Sequence, residues 1–210
     1  MIKAFFLIFE PSVAWDRIAQ KRRGLLFILG TYLLPMILIT VAVEGWGLEK
    51  WGKWQPKYQK VKDFTRLHGT VVTYEVIQAI LLLAMVLVSA LVLLKISQTF
   101  ETRRSYRQAF TTMAYGFSPM FLARLLDAAP MMSPWVSWAA GLMLTTWVLY
   151  QGIPRVMQPD PTHAFGLYLS ALIVVVLISG IVRVLTALYL LGQVDFNNSW
   201  LTHQFPTLFQ

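Results

Sequence analysis

Residues 24–43 read GLLFILGTYLLPMILITVAV, twenty residues without one Asp, Glu, Lys, Arg or His. A helix rises about 1.5 Å per residue, so about 20 residues cross the roughly 30 Å hydrocarbon core of a bilayer. A run of this length and polarity has no stable place on a water-facing surface, and it predicts a membrane span. Four further stretches meet the same requirement, at about 74–94, 109–128, 135–153 and 165–191. The expected fold is therefore all-α, a polytopic membrane protein built as a five-transmembrane-helix bundle. Charge content agrees: 13% of the 210 residues are charged, against about a quarter in soluble domains, too few to cover a surface that faces water.

This pattern divides the chain into an N-terminal segment, 1–23, a membrane domain, 24–192, and a tail, 193–210. The KRRG before the first run lies too far from the N-terminus for a secretory signal, so a retained anchor is expected. Pro35 inside that run removes a backbone donor and predicts a kink. In the N-terminal segment, Ala14, Trp15, Ile18 and Ala19 share one helical face, and Asp16, Arg17, Gln20 and Lys21 the other. Such a helix either lies on the cytoplasmic leaflet or continues into the first span. Segment 44–69, EGWGLEKWGKWQPKYQKVKDFTRLHG, alternates aromatic rings with lysines. It suits the headgroup zone as a membrane-hugging loop, or an acidic ligand as a binding surface.

Orientation follows from Lys and Arg in short connections. With the N-terminus in the cytoplasm, the inner side holds Lys3, Arg17, Lys21, Arg22, Arg23, Lys95, Arg103, Arg104, Arg107 and Arg155. The outer side holds Lys50, Lys53, Lys57, Lys60, Lys62 and Arg66, all in the first loop, and none beyond the third span. The balance favours a cytoplasmic N-terminus. The net charge of +8 is then accounted for by flanks that meet anionic headgroups, and no nucleic-acid partner is expected.

Little in the chain points to chemistry. The absence of cysteine excludes disulfides, thiolate nucleophiles and cysteine-ligated metals. His68, His163 and His203 are scattered, and neither a zincin, a nucleophile-elbow nor a P-loop motif occurs. The spans contain one aspartate, Asp127, so a diaspartyl site has no second member. No catalytic residue, metal site, cofactor or small-molecule substrate is identified, and no enzyme is expected. The bilayer is the expected partner, together with other membrane proteins or further copies of the chain.

Four charges nevertheless fall inside spans: Glu75, Arg124, Asp127 and Arg183. Each costs about 2.5–3.5 kcal/mol on insertion scales. With five crossings, all four lie in the outer half of the bilayer. Arg124 and Asp127, three residues apart, share a helix face and are placed to pair. Arg183 has no acid in its own span, so Asp127 or Glu75 on another helix is its most economical partner. A buried cross-helix network is expected; a polar cavity for a solute or headgroup, and arginines that snorkel to the interface, are the alternatives. The cavity reading would make the chain a small transporter or channel.

Helix breaks supply the remaining motifs. Gly116 and Pro119 interrupt the third span, where Tyr115 is placed to bond a freed carbonyl. Gly152 and Pro154 are expected to end the fourth helix. The strings AFTTMAYGFSPMFLARLL, VLYQGIPRVMQ and EPSVAWDRIAQ, with five spans in this order, resemble the Yip1 family, and closely its bacterial inner-membrane branch. The resemblance runs from about Phe5 to Arg183. It implies five helices, a cytoplasmic N-terminus and no catalytic residues. Similar eukaryotic proteins of the early secretory pathway bind Rab GTPases and each other through a long cytoplasmic N-terminal region; here only residues 1–23 precede the first span.

Overall fold

The computed structural model describes residues 2–21, 23–51, 68–100, 105–129 and 131–190, and every regular element among them is helical. In chain order these are α1 (Ile2–Phe9), α2 (Pro11–Lys21), α3 (Leu25–Ile28), a π turn (Leu29–Leu33), α4 (Leu34–Trp51), α5 (His68–Thr99), α6 (Tyr106–Gly116), α7 (Ser118–Arg124), a 3₁₀ turn (Leu125–Ala128), α8 (Pro134–Val156) and α9 (Pro161–Leu190). Most of the basic aromatic first loop and the tail from 193 lie outside the described residues.

Among the described residues three helices are long and apolar enough to cross a membrane: Leu25–Trp51, Val71–Thr99 and Pro161–Tyr189. Only 33%, 39% and 39% of their most apolar windows is buried inside the protein. The remaining apolar surface requires a lipid solvent, which makes the chain an integral membrane protein. The other two expected spans fall short for separate reasons. The third is divided into 11, 7 and 4 residues. The fourth, α8, has 23 residues but carries Thr145, Thr146, Tyr150, Gln151 and Arg155 along its apolar length.

Each interruption has a local cause. Pro35 lacks the N–H that would bond the Thr31 carbonyl, and the disturbance falls just before it, as the π turn 29–33. Pro119 likewise leaves the Tyr115 carbonyl without its helical donor; α6 stops at Gly116 and α7 starts at Ser118. The Ser118 hydroxyl donates to that carbonyl at 2.6 Å. The donor at the break is therefore serine, not the Tyr115 phenol expected from the sequence. Tyr115 contributes its ring, 4.2 Å from that of Tyr32, while the Tyr32 hydroxyl hydrogen-bonds Ser118 Oγ at 2.5 Å.

Gly152 and Pro154 do not end the fourth helix: α8 passes through both to Val156. A proline within a membrane helix is tolerated where neighbours satisfy the freed groups, and Gly152 is needed for an approach. A Cβ there would lie 2.5 Å from Cζ2 and 2.9 Å from Cδ2 of Trp15. Trp15 is fully buried, and its indole N–H donates to the Val148 carbonyl at 2.9 Å. Asp16 pairs with Arg155 at 3.1 Å one turn further along. Trp15 thus seats the apolar face of α2 on α8, while Ala14, Ile18 and Ala19 of the same face are half-buried. α1 folds back on α2 and reaches α7, burying Ala4 and Leu7 while Phe5, Phe6 and Phe9 stay exposed. Behind these elements α5 packs against α4, α6 and α9, and α8 against α6, α7 and α9. The core between them holds fully buried Phe110, Phe117 and Phe121.

Candidate functional site

The ends of α4 and α7, the start of α5 and α8, and the last turns of α9 meet at one end of the bundle, and there the buried charges gather. Arg183 of α9 is 3% exposed and Asp127 1%. An Arg183 Nη lies 2.6 Å from Asp127 Oδ2 and donates to Ser137 Oγ at 2.7 Å. Arg183 Nε donates to the Pro134 carbonyl at 2.9 Å, and the same Nη also bonds it. Ser137 closes the ring by donating to Asp127 Oδ1 at 2.5 Å. The Pro134 carbonyl belongs to the first turn of α8, and the bend before that turn aims it at the guanidinium. One arginine thereby ties α9 to α8 and to the 3₁₀ turn.

A second ion pair lies beside the first. Arg124 Nε is 3.2 Å from Glu44 Oε2, both buried. Gln78 donates to the same carboxylate oxygen, and the Tyr74 hydroxyl donates to Oε1 at 3.3 Å. Tyr74 also stacks on Tyr189 of α9, with centroids 5.4 Å apart. Arg124 and Asp127 therefore do not take each other as salt-bridge partners, as their three-residue spacing suggested. Each faces a carboxylate or guanidinium on another helix, because the chain tightens into a 3₁₀ turn between them and turns the two side chains to different neighbours.

Glu44 is the member that sequence reading missed. A charge at the end of an apolar run reads as the end of the span, yet α4 continues two turns further to Trp51. Thr40, Glu44 and Leu48, four residues apart, are all buried on one face, and that spacing is the signal that identifies it. Glu75 is buried with them, but neither carboxylate oxygen has a hydrogen-bond partner, and one Arg124 nitrogen is also unpartnered. The space beside Arg124, Ser137 and Arg183 is about 20 Å³, room for a water rather than a solute. Among the described residues no group of three or more His, Cys, Asp or Glu is arranged to hold a metal ion.

Of the break residues, Tyr115 and Gly116 lie about mid-way along the bundle, with Pro119 one turn on toward the charges. Gly116 abuts α8, where an added Cβ would sit 2.5 Å from a Leu149 methyl. Gly152 and Pro154 lie at the opposite end from the charges. The site thus unites Glu75, Arg124, Asp127 and Arg183 with Glu44, and leaves the break residues outside it.

Neither a curated protein nor a solved structure matches the chain. A family model, the Yip1 domain, matches residues 5–184. That interval begins in α1, takes in both ion pairs and ends one residue past Arg183. The chain belongs to the Yip1 domain family.

Proposed function

We propose that this protein is a non-enzymatic membrane organiser of the bacterial inner-membrane Yip1 branch, binding other membrane proteins or lipids. In this reading the membrane domain, 24–192, crosses five times, with α6–α7 and α8 as the third and fourth spans. Residues 1–23 enter from the cytoplasm and the tail from 193 lies outside. The observation that carries it is the pairing of four of the five buried charges, Glu44 with Arg124 and Asp127 with Arg183. Two ion pairs and their hydrogen bonds leave about 20 Å³ beside them, and Phe110, Phe117 and Phe121 fill the core toward the other end. A conduit needs a wet path between charged groups and both faces; a scaffold needs packed helices and an apolar exterior. Leu26, Ile80, Met143 and Leu177 supply such an exterior, each more than half exposed.

Photo-crosslinking in native membranes from position 80 or 177 tests this. Discrete protein or lipid adducts are expected, and a smear identical to that from an unrelated helix contradicts it. A second reading, a small transporter or channel, has one observation behind it: the buried, unpartnered carboxylate of Glu75. It requires ion or solute flux in proteoliposomes that Glu75→Gln abolishes. The organiser reading expects no flux above empty vesicles.

A further inference from the structure

At the end of the bundle opposite the ion pairs, α2, the start of α3, the first turn of α6 and the last turn of α8 surround an open cavity of about 500 Å³. Five cations line it: Arg17 and Lys21 from α2, Arg23 before α3, Arg107 from α6 and Arg155 from α8. No carboxylate lines it among the described residues. Asp16 engages Arg155 from outside the wall. Ordinary flanking charges spread around a helix bundle to lower their repulsion; here four separate elements bring theirs to one concavity, an arrangement that favours an anion.

Four of the five are arginines, whose planar fork matches phosphate oxygens. Deeper in, the Tyr115 side chain reaches the cavity, and its hydroxyl has no hydrogen-bond partner among the described residues, so it is free to donate. Phe6, Ile18 and Ile28 give the same cavity an apolar side, and beyond it Leu26 and Phe27 are exposed. A phosphate with an attached apolar chain meets complementary surfaces at both ends. The cavity opens at the level where Lys and Arg flank the apolar runs, which is headgroup depth.

We propose that this cavity binds a phosphate-bearing anion, the headgroup of an anionic phospholipid with its glycerol against the apolar side. This deepens the lipid-binding part of the function proposed above and is independent of what happens at the ion pairs. A free phosphate offers the same chemistry from solution, so the test separates the two sources. Purified full-length protein in non-ionic detergent is titrated with phosphatidylglycerol, phosphatidylcholine or inorganic phosphate, and bound ligand is counted by native mass spectrometry.

One phosphatidylglycerol is expected to be retained in preference to phosphatidylcholine. Arg107→Gln and Lys21→Gln each weaken it by about tenfold, the loss of one charge-assisted contact. Lys95→Gln, which removes an exposed charge at the same end but outside the cavity, changes it by less than about twofold. Phosphate that binds alone and displaces the lipid also supports the phosphate site and assigns it to a soluble ligand. Equal retention of phosphatidylcholine, or equal effects of Arg107→Gln and Lys95→Gln, overturns the proposal. Arg107, Lys21 and Lys95 are all exposed, so their variants fold, and unchanged melting temperatures verify it. Flux through proteoliposomes would overturn the organiser reading and leave this result standing.

Discussion

Arg183 is the side chain whose removal the structure makes most costly. It satisfies Asp127, Ser137 and the Pro134 carbonyl at once. Arg183→Leu leaves the Asp127 carboxylate buried without the guanidinium that faces it. Breaking a buried pair from one side costs about 3–5 kcal/mol. At about 2–4 °C per kcal/mol for a chain of this size, the melting temperature falls by about 6–20 °C. Asp127→Leu costs a similar amount for the converse reason. The double variant removes both charges and both penalties, so it is expected to be more stable than either single variant, with a coupling energy above about 2 kcal/mol. Intrinsic tryptophan fluorescence during heating in detergent measures all three, with exposed Lys95→Ala as a control that moves by no more than about 2 °C. Additive single variants, or an Arg183→Leu indistinguishable from Lys95→Ala, would refute the reasoning.

Glu75→Leu replaces an unpartnered buried carboxylate with an apolar group of similar length, so it raises the melting temperature, by about 1–3 kcal/mol in stability; a fall would mean that the carboxylate has a partner. Ser118→Ala removes the donor to the Tyr115 carbonyl and strands the Tyr32 hydroxyl, costing about 1–3 kcal/mol in the same assay, and no change would show that the break at Pro119 needs no side-chain donor. Gly152→Ala puts a methyl inside the Trp15 ring's contact distance, lifts α2 from α8 and speeds proteolysis within residues 10–21; unchanged cleavage would show that the approach is not tight.

What was legible in the sequence was what lipid demands. Runs such as 74–94 gave helices because an apolar run of that length has one solvent. Arg183 pointed to an acid on another helix, Asp127 or Glu75, because an isolated cation in hydrocarbon costs too much to leave unpaired. The failures share a cause, which is that signals calibrated on chains in water were read inside a membrane bundle. Gly152 and Pro154 looked like a helix end, yet the helix continues and the glycine serves as a seat for Trp15. Glu44 looked like the end of a span, yet α4 carries it inward to Arg124. The eight residues of α1 are too few to cross anything, and their burial depends on α2 folding back along α8. That same fold-back assembles the basic cavity, whose cations were each visible in the sequence while their convergence was not.

The number of crossings is the claim on which the placement of both sites depends, and the cysteine-free chain permits a direct measurement. Single cysteines at exposed Lys50, Lys95, Met131 and Asp160 are exposed in turn, in intact cells, to a membrane-impermeant thiol reagent. Five crossings with a cytoplasmic N-terminus predict labelling at 50 and 131, and protection at 95 and 160 until the membrane is permeabilised. Protection of 131 together with 95 and 160 would mean that α6, α7 and α8 do not cross, and would contradict the account.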